Sequence, residues 1–491
     1  MPEDPHRRAQ LLAWGVGALA LVVAALLFTQ FSIEGNLSRD EAIYSYGGQQ
    51  LADGVPVYQG IFDPKPPLPT FLTALGAGAG RVVGADELYA MRYEFLLFAL
   101  LSVGAVYLLG LRLWRSPIAA LGGAVTFACF RGFAADALAG PDAKTPGVLL
   151  SLIALVLLVE RRWFWAAFAG SLAFLDWQPL GIYMLVAIAA AFLLGEQRWR
   201  QAGRALAGAA IPLAATVVYL AIAGDLSQFV DASFTFPATG LHRDPVTLGQ
   251  RLTAIVHVVN EHYRLGRVLL WGGLALLPLV LWRRRIERPA AAMVLITLLG
   301  FVALTLTDFQ GYPDLFPLLP YAAIGIGGVV AVAVAERGRV AAAAAVVTMA
   351  ALVALALPRY LNGSEKGPPL SLERAYAARV EGLLAPGERL YALGDPTLLV
   401  LTGERNPTRW IYLGSGVDEW AIKHQFGSFG RWKAEIRAVD PPVIVMNTWV
   451  SPLAQQMAAW LSRTYGPVTT VGTWRFYVKP SLRDRATAAG I

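Results

Sequence analysis

The chain is built around a succession of apolar blocks about as long as a membrane helix, and this pattern excludes an ordinary soluble enzyme. Blocks of roughly 18 or more residues with almost no charge read as membrane spans. The apolar runs cover residues 11–31, 68–83, 93–113, 117–135, 145–159, 163–176, 180–194, 205–223, 268–282, 290–306, 315–335 and 340–357. Only 15% of the 491 residues are charged, against about 25% in a soluble domain of average make-up. Residues 163–194 exceed one helix, and Asp176-Trp177-Gln178-Pro179 interrupts them. Proline ends or kinks a helix, so a hairpin is predicted there.

Charge sets the topology. The net charge is +7, but the arginines fall in short clusters between apolar blocks, as in cytoplasmic loops and unlike a nucleic-acid surface. His6, Arg7 and Arg8 precede the first run. That run is long enough to span and lacks a small-residue cleavage site, so it reads as an uncleaved first helix. The run 68–83 is short and contains Gly76, Gly78, Gly80 and Arg81. If it is interfacial or re-entrant, the basic clusters at 112–115, 161–162, 198–204, 283–288 and 337–339 all share the side of Arg7 and Arg8. That is the positive-inside pattern, and it gives about 11 spans with a cytoplasmic N-terminus.

The outer face then receives the loop 32–91, the segment around Asp136 and Asp142, the loop 224–266 and the tail from about residue 358. The tail carries charges throughout. Strand-like runs at 389–393, 442–446 and 474–478 accompany helix-like stretches at 372–384 and 452–465. The expected fold class is an all-α polytopic membrane domain, residues 1–357, with a small C-terminal soluble α/β domain, residues 358–491. A single cysteine, Cys129, excludes an intramolecular disulfide and a multi-cysteine metal site.

The first outer loop concentrates the chemistry. Ser38 and Glu41 have capping-box spacing, which predicts a helix starting at Ser38 and gives Glu41 a structural job. Asp40 is not needed for that box. It falls in the first turn, where the helix dipole favours the ionised form, and an ionised carboxylate beside an apolar slab suits a general base or a metal ligand. Lys65 lies in Asp63-Pro64-Lys65-Pro66-Pro67. The prolines fix the backbone around it, and a stiffly held ammonium is a good partner for a phosphate, although a lysine snorkelling to headgroups has the same sequence.

Three elements follow the first membrane helix in order: Asp40-Glu41-Ala42-Ile43-Tyr44, then Gly54-Val55-Pro56-Val57-Tyr58, then Asp63-Pro64-Lys65-Pro66-Pro67-Leu68. Together they resemble the GT-C glycosyltransferase superfamily, and within it the family 39 group of protein O-mannosyltransferases and ArnT-like aminoarabinose transferases. The resemblance is carried by roughly residues 10–160 and by layout beyond them. It implies transfer of a sugar, with inversion, from a polyprenyl-phosphate carrier to an acceptor outside the cytoplasm. It implies that Asp40 is the catalytic base and Lys65 a donor-phosphate contact, with Arg39, Glu41 and Tyr44 on the substrate side. A second acid at the head of a later span corresponds to Asp142, with Asp136 as rival. Asp142 reads equally well as a first-turn helix acid behind Pro141. Tyr312, in Tyr312-Pro313-Asp314, corresponds to a further donor contact or to an interfacial aromatic belt.

His242, Asp244, Glu261 and His262 match no compact zinc spacing. Asp176 and Gln178 line a cavity or form a hairpin turn. No glycine-rich phosphate loop joins a strand to a helix, so neither a nucleotide nor a redox cofactor is expected. A divalent metal stays open. The expected partners are the lipid-linked sugar, a lipid, glycan or protein acceptor, and the membrane itself, in a bacterial inner membrane with the site facing outward. The rival reading is a transporter or flippase of lipid-linked substrates. That reading lacks the internal repeat and midplane charges such proteins carry.

Overall fold

The computed structural model describes residues 5–37, 39–240, 246–264, 266–361, 369–447, 451–466 and 468–491. Its main helices are α1 (Pro5–Phe28), α2 (Arg39–Ala52), α3 (Leu68–Val83), α4 (Glu87–Trp114), α5 (Pro117–Ala128), α6 (Arg131–Ala139) and α7 (Lys144–Val159). They continue with α8 (Trp163–Asp176), α9 (Gly181–Leu194), α10 (Arg198–Ile222), α11 (Gly266–Arg283), α12 (Arg288–Thr307) and α13 (Leu319–Leu361). Local chemistry sets their ends. Asp86 accepts from the Tyr89 N–H to start α4, and Ser116 accepts from Ala119 with Pro117 opening α5.

Among the described residues six segments are each long and apolar enough to cross a membrane: Gln10–Phe28, α4, α10, α11, α12 and Tyr312–Leu361. The 43 residues of α13 would run about 65 Å if straight, twice the hydrocarbon thickness. Its backbone turns at Gly338, φ 59°, where the sequence predicts a break between two runs. The predicted hairpin is present, with α8 and α9 joined by a 3-10 turn at Gln178–Leu180. Of the expected spans, α7, α8 and α9 are only 16, 14 and 14 residues, shorter than a helix that crosses a bilayer core on its own.

One expected run is different. Residues 117–135 form a pair, α5 and α6, bent by 59°. The break leaves the Ala128 carbonyl to accept from the Tyr360 hydroxyl at 2.6 Å, which satisfies it in an apolar setting. Glycines allow the tightest helix contacts. A Cβ on Gly273 of α11 would stand 2.1 Å from the Ala322 carbonyl of α13, and one on Gly325 would stand 2.0 Å from that of Gly273. Small residues of this kind let membrane helices approach backbone to backbone.

The interfacial expectation for α3 agrees with its length: 16 residues reach about 24 Å, short of a bilayer core. It packs on α2 and α4. The tail carries a four-stranded sheet of order β1-β2-β4-β3, with β1 (Tyr391–Leu393), β2 (Val443–Asn447), β3 (Thr469–Val471) and β4 (Trp474–Val478). β1 and β2 are parallel, and the other pairs are antiparallel. The strand β3 was not expected, being an edge strand of threonines before the Gly472 turn.

The tail and the first outer loop share their cores. Val57, Tyr58 and Phe62 pack with Trp410 and Trp420, and Leu37, Tyr46 and Ile61 pack with Leu398 and Ile411. Polar ties cross the same seam: the Leu37 N–H donates to Glu373 Oε2 at 2.9 Å, and the Phe62 N–H donates to the Arg409 carbonyl at 2.9 Å. Burial raises the Glu373 carboxyl to about 8. The folded state therefore holds that proton more tightly than the unfolded chain, where the value is near 4.5. Its contribution is complete at low pH and is lost as pH rises through about 8. The thermal midpoint of the wild type should fall between pH 5 and pH 9 in tryptophan-monitored unfolding, and Glu373→Gln should flatten that slope. An unchanged slope would mean that Glu373 is ionised in the fold.

Candidate functional site

A cavity of about 950 Å³ opens where α2, the heads of α7 and the 178–180 turn, the end of α12 and the tail meet. Asp40, Tyr44 and Lys65 of the first loop line it together with Lys144, Asp314 and Gln178. Its opposite wall is largely apolar, with Phe234, Phe236, Val246, Leu304 and Phe309. The loop 224–266 supplies part of that wall through Ser233 and Phe234 and the short helices Phe236–Thr239 and Leu248–Val258. Tyr412, Ser415 and Val417 bring the tail to its rim.

Each polar residue is held by local structure. Asp40 is exposed in the first turn of α2. Lys65 is half-buried, with its ammonium 5.0 Å from the centre of the Tyr44 ring. Its backbone is fixed at both ends: its N–H donates to Asp63 Oδ1 at 3.1 Å, and its carbonyl accepts from the Tyr58 and Ser233 hydroxyls at 2.9 and 3.0 Å. The Gln178 amide donates to the preceding carbonyl, Pro64, at 3.4 Å. Burial and the nearby Lys144 ammonium push Lys65 below the ordinary lysine value, while the Asp40 and Asp63 carboxylates oppose that shift. Burial raises the Asp63 carboxyl.

Lys144 is the residue that sequence reasoning missed. It opens α7, its ammonium lies 4.9 Å from the centre of the Trp177 ring, and it pairs with Asp314 at 3.6 Å. Asp314 is itself fixed by the Gln310 N–H at 2.7 Å. The signal was available, because a charge at the edge of hydrocarbon is costly, and Lys144 stands two residues beyond Asp142 at the head of the same apolar run.

Asp142, Glu41 and Tyr312 stand behind the cavity rather than in its lining. Both Asp142 oxygens serve the start of α7: Oδ1 accepts from the N–H groups of Lys144 and Thr145, and Oδ2 accepts from the Thr145 hydroxyl at 2.7 Å. Glu41 is buried against Gly140, where an added Cβ would come within 3.1 Å of its own. Burial, followed by the charges of Asp136, Asp40 and Asp142, pushes its carboxyl well above the usual range. Tyr312 donates to Asp136 Oδ1 at 3.1 Å and stacks on His262. Asp176 is fully buried two residues before the turn. Arg39 opens α2, but its side chain, Ser38 with the capping box, and His242 and Asp244 lie outside the described residues. Among the described residues no group of three or more His, Cys, Asp or Glu side chains is placed to hold a metal.

No family model matches the sequence, and no curated protein matches it. Solved structures do. ArnT from Cupriavidus metallidurans bound to undecaprenyl phosphate superposes with a TM-score of 0.64 at 14% identity, covering 95% of this chain and 98% of that one. The Archaeoglobus fulgidus oligosaccharyltransferase in complex with Zn and sulfate gives 0.58 at 14% identity, over 96% of this chain and 73% of that one. The arabinofuranosyltransferase AftD from Mycobacteria gives 0.50 at 14% identity, over 96% of this chain and 40% of that one. Likeness at such low identity is a likeness of fold: the chain is an integral membrane protein with the fold of the GT-C glycosyltransferases.

Proposed function

We propose that this protein is a membrane glycosyltransferase that moves a hexosyl or pentosyl group from a polyprenyl-phosphate carrier to an acceptor outside the cytoplasm, with inversion. The observation that carries the reading is one cavity that brings Asp40 together with two ammonium groups, Lys65 and Lys144, among further charged residues (Asp63, Asp308, Asp314 and Arg251) and an apolar wall. A transporter needs no such acid–cation pairing at one membrane face. The undecaprenyl phosphate bound in the ArnT structure supports the donor class. Residues 1–357 form the catalytic membrane unit and 358–491 an extracytoplasmic unit that closes the cavity rim. The setting is a bacterial inner membrane.

In the reaction, Asp40 accepts the proton of the acceptor hydroxyl as its oxygen bonds to the anomeric carbon. The bond from that carbon to the phosphate oxygen breaks, and the lipid phosphate leaves with the electron pair. Lys65 and Lys144 stabilise the negative charge as it develops, in a setting partly screened from water. A single displacement inverts the anomeric centre and needs no covalent intermediate. Arg39 and Tyr44 complete the donor side, Tyr44 by placing the Lys65 ammonium. Asp142, Glu41 and Tyr312 act as positioning residues behind the cavity, Asp142 through the start of α7 that presents Lys144.

Radiolabelled polyprenyl-phosphate sugars incubated with purified protein and membrane acceptors test this. Asp40→Asn should lower kcat by about 100-fold or more, the usual worth of a positioned base. Folded Asp40→Asn protein with undiminished transfer would remove Asp40 from the mechanism. Lys65→Arg should extend the alkaline limb of kcat/KM to higher pH, since the lowered lysine loses its proton where a guanidinium keeps it. Asp142→Ala should cost about 1 kcal/mol of thermal stability through the lost helix start, with Asp142→Asn closer to wild type. Equal stability of all three proteins would show that the start of α7 does not depend on Asp142.

A further inference from the structure

A second pocket, of about 520 Å³, lies at the opposite end of the bundle. The helices fix that relation. α7 runs from Lys144 in the large cavity to Val159 at this pocket, and α12 runs from beside this pocket to Leu304 and Thr307 in the large cavity. The 20 residues of α12 span about 30 Å, so the two pockets open on opposite membrane faces. This face carries the basic clusters that the positive-inside rule places in the cytoplasm.

Four arginines line the pocket: Arg112, Arg115, Arg284 and Arg285. Its acids are already engaged, Glu160 with Arg112 at 2.5 Å and with Arg162 at 3.0 Å, and Glu287 with Arg161 at 3.0 Å. Among the described residues Arg115, Arg284 and Arg285 have no acidic partner. Topology signals alone account for solvated arginines. They do not account for the Arg284 Nε and the Trp114 indole N–H, both buried without a partner at this pocket, because an unsatisfied buried donor is costly. Arg115 and Arg285 also adopt left-handed backbone, each at φ 50°, at helix ends where glycine costs least. Large cations are thus kept where the backbone favours none. Trp282, 77% exposed two residues before Arg284, marks the level of the lipid interface.

We propose that this pocket binds the phosphate of an anionic phospholipid headgroup, a diacyl lipid of the face opposite the large cavity. Unpaired guanidinium groups and buried N–H donors match phosphate oxygens, and basic pockets between membrane helices take such headgroups. The site is separate from the transfer reaction, and its test reads lipid binding rather than activity.

Delipidated full-length protein in detergent would be titrated with fluorescent phosphatidylglycerol and with phosphatidylcholine. Wild type should bind phosphatidylglycerol about tenfold more tightly or better, as expected for two or three arginine–headgroup contacts. R284Q/R285Q should remove that preference and leave phosphatidylcholine binding unchanged, while R284K/R285K retains most of it. R337Q/R339Q, arginines of the same face outside the pocket, should leave it intact. Should R284Q/R285Q fail to give a single gel-filtration peak, R115Q carries the same expectation. Equal binding of the two lipids, or an equal loss in R337Q/R339Q, would overturn the proposal. Complete displacement of phosphatidylglycerol by millimolar inorganic phosphate would overturn the lipid assignment in favour of a soluble anion.

Discussion

Backbone N–H and C=O groups have no water to bond inside a bilayer, so every break in a membrane helix must be satisfied by protein. The site depends on breaks of that kind. The end of α5 gives its Ala128 carbonyl to the Tyr360 hydroxyl. The turn between α8 and α9 turns its Gln178 amide onto the carbonyls of Pro64 and Ser233. The entry to α7 is closed by both oxygens of Asp142. Each of these breaks lies at the same end of the bundle as the large cavity, and each hands a side chain or a loop to its wall or its backing. The cavity is what remains where continuous helix is interrupted and the interruption is satisfied from outside the helix.

Electrostatics follow from that geometry. Acids crowd the region behind the wall, with Glu41 feeling Asp136, Asp40 and Asp142 together. The lysines face the opening instead. Like charges held close in a dry setting suppress ionisation of the buried members, Glu41 among them. The Asp40 carboxyl and the Lys65 and Lys144 ammonium groups share one cavity, brought together by the fold itself.

Much of this was legible in the sequence because it is local. Apolar runs fixed the helices, the Asp176–Pro179 interruption fixed the hairpin, and the proline-flanked Lys65 announced a held cation. The bend after Ala128 was not legible: Cys129-Phe130-Arg131 contains neither proline nor glycine, and the break is supported by Tyr360, more than 200 residues away in sequence. Lys144 was overlooked because its role comes from Asp314 and Trp177, which only the folded bundle brings to it. The continuity of the tail with the first loop was hidden for the same reason. The aromatic seam of Phe62 on Trp410 joins segments that composition alone assigns to different parts of the chain.

The length of α7 carries a further consequence. Sixteen residues give about 24 Å between its charged ends, Lys144 and the neighbouring Glu160, several ångströms less than a typical hydrocarbon core. A bilayer meets a short span by thinning around it or by letting polar groups sit below the headgroup plane. Either response draws phosphate level and the Lys144 ammonium together in depth. Bilayer thickness then bears on the depth at which the cations of the large cavity sit, through the length of one helix.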